Sequence, residues 1–312
     1  MTPADPIELQ LRGPGGERVD LWRTLISHGF HDLAPMAIDE VNRSLDLTLR
    51  PPRGMPRRVR IAASDGGRGS ARVEILGRPA TSAATRDAIA RGAARVLRLD
   101  QDLSAFYALA AVDPELAWVT AGAGRMLRSP TVWEDVVKTL CTTNCSWSLT
   151  TTMVNALVRE LGEPAAGFAD QPLANAFPTP VAMAGRDERF YRQVVRSGYR
   201  APYFVRLAEL VAGGEVDLEA LADASRLDLP DGEVEARLRS LPGIGPYAAA
   251  NVMMTLGRSS RLILDSWSRP AYVRAAGRRK LPSDAQIERR FRHYGEDAGL
   301  AFWLFVTKHW AT

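Results

Sequence analysis

Two glycines, a tyrosine and an aspartate lie close together in one stretch of this 312-residue chain. In LPGIGPYAAANVMMTLG, Leu241 to Gly257, Gly243 and Gly245 remove side chains from a backbone turn. Eight residues after Gly257 comes Asp265, in RLILDSWSRP. Glycines at a turn leave neighbouring N–H groups free to face outward, and at the start of a helix such groups form an anion site that suits a phosphate. The same spacing also suits an ordinary helical hairpin without a ligand. Asp265, just before SWSRP, reads equally as a helix N-cap or as a reactive carboxylate. The two roles are compatible, because a helix N-terminus keeps a carboxylate ionised.

The elements that must position these residues follow from the flanking pattern. DGEVEARLRS predicts a short helix with Asp231 as its N-cap, acids in the first turn, and Val234, Leu238 and Leu241 on one face. Pro246 suits a first helical position, Ala248, Ala249, Val252, Met253 and Leu256 supply apolar positions, and Gly257 can end the second helix. The prediction is helix, glycine turn, helix.

LPGIG ahead of an Ala-rich helix, with an Asp after the next apolar run, resembles the helix-hairpin-helix DNA glycosylases. That superfamily includes endonuclease III, 8-oxoguanine DNA glycosylase and 3-methyladenine DNA glycosylase II. The resemblance is strong from about Val132 to Tyr272 and loose over the first hundred residues. It implies double-stranded DNA as partner, with Leu241, Gly243, Ile244 and Gly245 gripping backbone phosphate and Asp265 catalytic. TTNCS matches the loop from which the 8-oxoguanine branch presents an Asn to the base left unpaired by flipping, here Asn144. The Arg that this branch carries five residues later is Leu149 in this chain. GYRA within SGYRAPYFVRLAELVAG implies that Arg200 reaches the same orphaned base. For Asn144 the plain alternative is a residue that satisfies its own loop, and for Arg200 a solvated helix start. Tyr247, Trp267 and Trp147 are the implied walls of the base pocket, and Trp303 reads as core, with the pocket as its alternative.

Bifunctional relatives carry a lysine two residues beyond the second glycine, where this chain has Tyr247. Its three lysines, Lys138, Lys280 and Lys308, all lie away from the motif. The resemblance therefore implies a monofunctional enzyme that leaves an abasic site, with no Schiff-base lyase step. An aromatic in that slot resembles the alkylation-repair branch and points to an alkylated purine, whereas Asn144 and Arg200 point to the 8-oxoguanine branch. A hairpin protein that binds DNA without chemistry is the remaining alternative; a carboxylate facing the sugar argues against it, since like charge repels phosphate. The resemblance also allows a monovalent cation on the hairpin carbonyls. The chemistry is coherent: departure of a base leaves positive charge on the sugar, which an ionised carboxylate in a dry site stabilises.

Composition sets the outer limits. With 46% hydrophobic and 24% charged residues the chain reads as a globular protein, and 40 basic against 36 acidic residues permit, without requiring, a polyanionic partner. Cys141 and Cys145 have no other cysteine to complete a metal site, so they read as reduced, buried thiols of a cytoplasmic protein, and an iron–sulfur cluster on four cysteines is excluded. The most apolar C-terminal run, GLAFWLFVT, is too short to span a bilayer, and no signal-like segment opens the chain. The expectation is a cytoplasmic monomer with no membrane segment.

The predicted architecture is α+β. IELQL and LDLTL alternate strictly, and VRIAAS and ARVEILG flank the turn-forming DGGRGS as a hairpin. A helix follows from about Thr85, giving a small N-terminal antiparallel sheet domain over residues 1–98. Residues 99–312 read as an all-helical domain. There, Thr131 and Glu134 form an expected capping box, as do Ser283 and Gln286. Residues 50–58, RPPRGMPRR, suit either DNA phosphates or a solvated loop, and Arg278, Arg279 and Lys280 leave the same choice open.

Overall fold

The computed structural model describes residues 5–64, 69–79 and 82–310. The expected strands form a five-stranded antiparallel sheet in the order β1-β5-β4-β3-β2. They are β1 (Ile7–Gln10), β2 (Ala37–Asp39), β3 (Ser44–Leu49), β4 (Arg57–Ala63) and β5 (Ser70–Ile75). Only β2, three residues long, had no signature in the alternation. Part of the DGGRGS turn, residues 65–68, lies outside the described residues.

Period-two alternation sends Leu45, Leu47, Leu49, Val59, Ile61, Ala71 and Val73 to one face, where they bury against Ile89, Ala93 and Val96. Those three residues belong to the helix Ala83–Val96, which starts two residues before the expected Thr85 because Ser82 caps it, its hydroxyl accepting from Thr85 N. The other face of β3 is covered too: Thr48 is buried and donates to Ala174 O at 2.7 Å. Arg50 pairs with Glu163, and buried Arg58 donates to Pro35 O and to Thr48 Oγ1. Two arginines of the basic stretch therefore bind the protein itself.

The rest is helical and divides into two apolar clusters. One gathers Val132–Thr142, Trp147–Leu161, Ala201–Ala212, Asp231–Arg239 and most of Pro246–Thr255; the other gathers Ser104–Ala111, Ser268–Ala275, Asp284–Phe291 and Ala298–Val306, with Ala250 and Met254 of Pro246–Thr255. The helix Pro246–Thr255 is thus shared, and Tyr247 packs against both clusters. Phe30, Leu33 and Ala34 join the first cluster, and Leu127 joins the sheet core.

Buried arginines lock this arrangement. Arg125, fully buried, pairs with Glu17 at 2.5 Å and donates to Gln101 O, while Arg98 Nη1 donates to Thr255 O at 2.9 Å and so holds the end of the shared helix. Truncating one partner of such a buried pair typically costs about 3–5 kcal/mol.

Three local expectations are corrected. Asp231 is not the N-cap; Pro230 occupies that position, and Asp231 Oδ1 instead accepts from Arg226 and Arg258. Thr131 caps its helix by accepting from Glu134 N, but the Glu134 carboxylate turns to buried Lys138, 2.7 Å away, so the box is only half formed. Cys141 is buried, but Cys145 is only partly so. The Ser283–Gln286 box forms in full.

Candidate active site

The turn between Asp231–Arg239 and Pro246–Thr255 is built as the glycines require. Gly243 has φ +77°, and a Cβ there would meet the side chains of Tyr203 at 2.7 Å and Leu140 at 2.8 Å. Gly245 precedes Pro246 with φ −89° and ψ −176°, makes no side-chain cap, and would carry a Cβ into open space. Leu241 and Ile244 are buried at 6% and 4% exposure, so only their backbone can meet a ligand. The first-turn N–H groups of Pro246–Thr255 are left uncapped at an open surface, the geometry of an anion site. The Pro242, Gly243 and Ile244 carbonyls accept no hydrogen bond among the described residues, so these oxygens also fit a cation.

Asp265 is held by the start of the helix Ser268–Ala275. Its Oδ1 accepts from Trp267 N at 2.9 Å and from Ser268 N at 2.6 Å. In return Asp265 N donates to Ser268 Oγ, whose own proton goes to Ile263 O at 2.7 Å. These two backbone donors at the helix start fix the direction of the carboxylate. Arg269, one turn on, is committed to Asp284 through two 2.8 Å bonds, and no ion pair reaches Asp265 among the described residues.

A cavity of about 1120 Å³ opens between the helical clusters. It brings together Asp265, Tyr247, Trp267, Trp147, Asn144, Gly243 and Gly245, all named from the sequence. Burial pushes the Tyr247 phenol up, with the Asp265 charge adding to it and hydrogen bonding to Thr142 opposing. The phenol therefore stays protonated.

Other residues are placed differently. Arg200 does not line the cavity: it is 3% exposed, its Nε donates to Thr143 Oγ1 at 3.1 Å, and its buried Nη2 has no hydrogen-bond partner among the described residues. Its neighbour Tyr199 is 50% exposed and lines the cavity, with the Arg200 guanidinium over its ring at 4.6 Å. Trp303, read first as core, both packs on the second cluster and lines the cavity. Trp310, Tyr203 and Gly29 also line it and carried no sequence signal, although Tyr199 stood inside GYRA. Trp147 lies against Gly29 so closely that a Cβ there would meet its ring at 2.7 Å. A separate cavity of about 490 Å³ beside Trp133 and Phe177 contains none of these groups, and Glu134 on its wall is already paired with Lys138.

No family model and no curated protein matches the sequence. Solved structures do match in fold. MBOgg1, in complex with a low-affinity DNA ligand, aligns over 100% of this chain and 98% of that one, with TM-score 0.72 and 18% identity. The 3-methyladenine DNA-glycosylase from Archaeoglobus fulgidus aligns over 98% and 99%, also at 0.72 and 18%. The 8-oxoguanine glycosylase/lyase of Clostridium acetobutylicum, in complex with double-stranded DNA containing cytosine opposite 8-oxoG, aligns over 100% of both chains at 0.69 and 17%. From end to end the chain has the α+β fold of these proteins.

Proposed function

We propose that this chain is a monofunctional DNA glycosylase of base excision repair, which flips an alkylated purine out of duplex DNA and hydrolyses its N-glycosidic bond. The observation that carries the reading is Asp265, fixed by two backbone N–H groups on the wall of an aromatic cavity whose mouth is the glycine hairpin. The hairpin grips backbone phosphate without reading sequence. The extruded base enters between Tyr247 and the tryptophans, and C1′ of its sugar comes to rest against Asp265.

An alkylated purine such as 7-methylguanine carries positive charge and departs as a neutral base, so it needs no general acid. As the C1′–N bond breaks, charge moves to the sugar, and Asp265 stabilises it in a site where aromatic walls exclude water. A water molecule then forms the new C1′–O bond, its proton passing through Asp265 to solvent. Stacking a cationic base on aromatic faces contributes about 0.5–2 kcal/mol. Tyr247 stands where a lyase would carry lysine, and Lys138 is buried in its pair with Glu134, so this reading contains no covalent amine step. The cytoplasm, and action as a monomer, complete the proposal.

A second reading, an 8-oxoguanine-type enzyme, is favoured by one observation: Asn144 and the Gly198–Arg200 turn are joined across the cavity rim. Single-turnover assays on duplexes bearing 7-methylguanine, 3-methyladenine, 8-oxoguanine, hypoxanthine or uracil, with alkali added only afterwards, separate the two. Alkali-dependent cleavage at an alkylated purine, lost in Asp265→Asn, is the expected result. Cleavage only at 8-oxoguanine selects the second reading, and full activity in Asp265→Asn rejects the mechanism.

A further inference from the structure

Three indoles meet beside Asp265. Trp267 lies 5.5 Å from Trp303 and 5.3 Å from Trp310 between ring centroids, tilted by 44° and 48°, and Trp303 meets Trp310 edge-on at 5.9 Å. All three line the cavity. Each is carried by a different element: Trp267 by the turn that holds Asp265, Trp303 by the last long helix, Trp310 by the short turn Lys308–Trp310 beyond it.

The three are not equally anchored. Trp303 is pinned by its Nε1–H, which donates to Ser27 O at 2.8 Å. Thr307 donates to Trp303 O through both its N–H and its hydroxyl, and Trp310 N donates to Thr307 O, so the C-terminal turn is wound back onto Trp303. Trp267 is 38% exposed, and its ring meets those of Trp303 and Trp310. Its own N–H is one of the two that hold Asp265 Oδ1. A tryptophan placed for core burial would lie inside an apolar cluster. Trp310 belongs to none of the three clusters and stands partly exposed on the cavity wall.

We propose that Trp310 is a positioning and specificity-determining residue. Seated on Trp267 and Trp303, it closes one wall of the base pocket and fixes the Trp267 backbone against the Asp265 carboxylate. The C-terminal turn is thereby part of the active site. The proposal rests on the reading of this cavity as the pocket of a glycosylase. Removing Trp310 leaves Trp267 packed on one side only, which loosens both the wall that orients the base and a donor that aims the carboxylate; a misplacement of about 1 Å in such a site costs on the order of a hundredfold in rate.

The test uses the full chain and compares wild type, Trp310→Ala, Trp310→Phe and Asp265→Asn. In single-turnover excision of 7-methylguanine from a duplex, Trp310→Ala is expected to lower the rate constant by at least about tenfold, and Trp310→Phe to stay within about threefold of wild type. Affinity for a duplex bearing a tetrahydrofuran abasic analogue, which puts no base into the pocket, is expected to change less than about twofold. Wild-type excision by Trp310→Ala overturns the proposal, as does an equal loss of affinity for the abasic duplex. Quenching of tryptophan fluorescence by 7-methylguanosine gives a readout independent of bond cleavage. It is expected to saturate in wild type and Asp265→Asn, with a midpoint raised at least about fivefold in Trp310→Ala. If wild type excises nothing yet this shift is seen, the glycosylase reading fails, and with it the positioning of Asp265 for excision, while Trp310 as a wall of a purine pocket stands. If wild type shows no saturable quenching, or Trp310→Ala leaves the midpoint unmoved, the role of Trp310 fails.

Discussion

The side-chain amide of Asn144 donates to the phenolic oxygen of Tyr199 at 3.3 Å, across the rim of the cavity that holds Asp265. At the neighbouring positions of the same two segments, Arg200 Nε donates to Thr143 Oγ1 at 3.1 Å. The two bonds divide the labour. The part-buried Arg200–Thr143 bond ties the loop to the body of the protein, and the exposed Asn144–Tyr199 pair presents an amide and an aromatic ring to whatever covers the cavity. Asn144 sits at φ 44°, a left-handed conformation that Asn tolerates better than most residues.

If this pair takes the place of the extruded base, its loss is felt only where there is a stack to fill. Asn144→Ala and Tyr199→Ala are each expected to slow excision from a duplex by roughly 10- to 100-fold, in line with a flipping cost of a few kcal/mol. Excision of the same lesion from single-stranded DNA is expected to stay near wild type. Equal losses on both substrates would place the two residues in the chemistry instead.

The two hairpin glycines are expected to respond oppositely to alanine. At Gly243 the φ of +77° and the contacts with Tyr203 and Leu140 make Ala costly, about 1–3 kcal/mol, visible as a lower melting temperature. At Gly245 the backbone suits any residue and the added methyl meets nothing. Gly245→Ala should therefore melt like wild type yet bind duplex about tenfold more weakly, with a salt slope reduced by about one phosphate contact. Unaltered binding and slope would remove Gly245 from the DNA interface.

How much of this was legible in the sequence depended on how local each signal is. The hairpin and Asp265 were readable because glycine, proline and the following helix lie within some twenty-five residues, and the strands because alternation is a neighbour-to-neighbour pattern. Trp310 and Gly29 reach the cavity from opposite ends of the chain, a proximity no periodicity encodes. Arg200 showed its identity but not its burial, since that depends on Thr143, 57 positions away. Asp231 looked like a cap because its natural competitor, an ion pair with Arg258, is a tertiary contact. Glu134 was drawn off its capping role the same way, by a lysine that had to be buried with it.

Tyr247→Lys offers a gain-of-function trial. The position borders both helical clusters and lines the same cavity as Asp265, so on the proposed reading an amine there would face the sugar carbon. Borohydride reduction during turnover is expected to trap a covalent DNA adduct with the variant and none with the native chain. An adduct with the native chain would mean that another amine reaches C1′ and that the monofunctional assignment is wrong.

The stability of the cavity wall should depend on acid through His28. This residue is buried, its Nε2–H donates to Leu127 O, and its Nδ1 accepts from Phe30 N at 3.4 Å, so both ring nitrogens are used by the neutral form. Burial above all, helped by the charges of His31 and Lys138 and opposed by the bond to Leu127, lowers its pKa from 6.5 to about 4. Between those values the unfolded chain binds a proton that the folded chain refuses. Stability therefore rises with pH across that window, and the contribution of neutral His28 is fully present above pH 6.5 and lost as pH falls towards 4. A shift of this size corresponds to roughly 3 kcal/mol. His28→Gln keeps an amide donor for Leu127 but does not titrate. The melting temperature of wild type is expected to fall more steeply than that of the variant between pH 7 and pH 4.5, and parallel curves would show that His28 does not set the acid limb. Because Gly29, the next residue, is the surface on which Trp147 rests, protonation of His28 as pH falls towards 4 should also loosen this wall of the pocket.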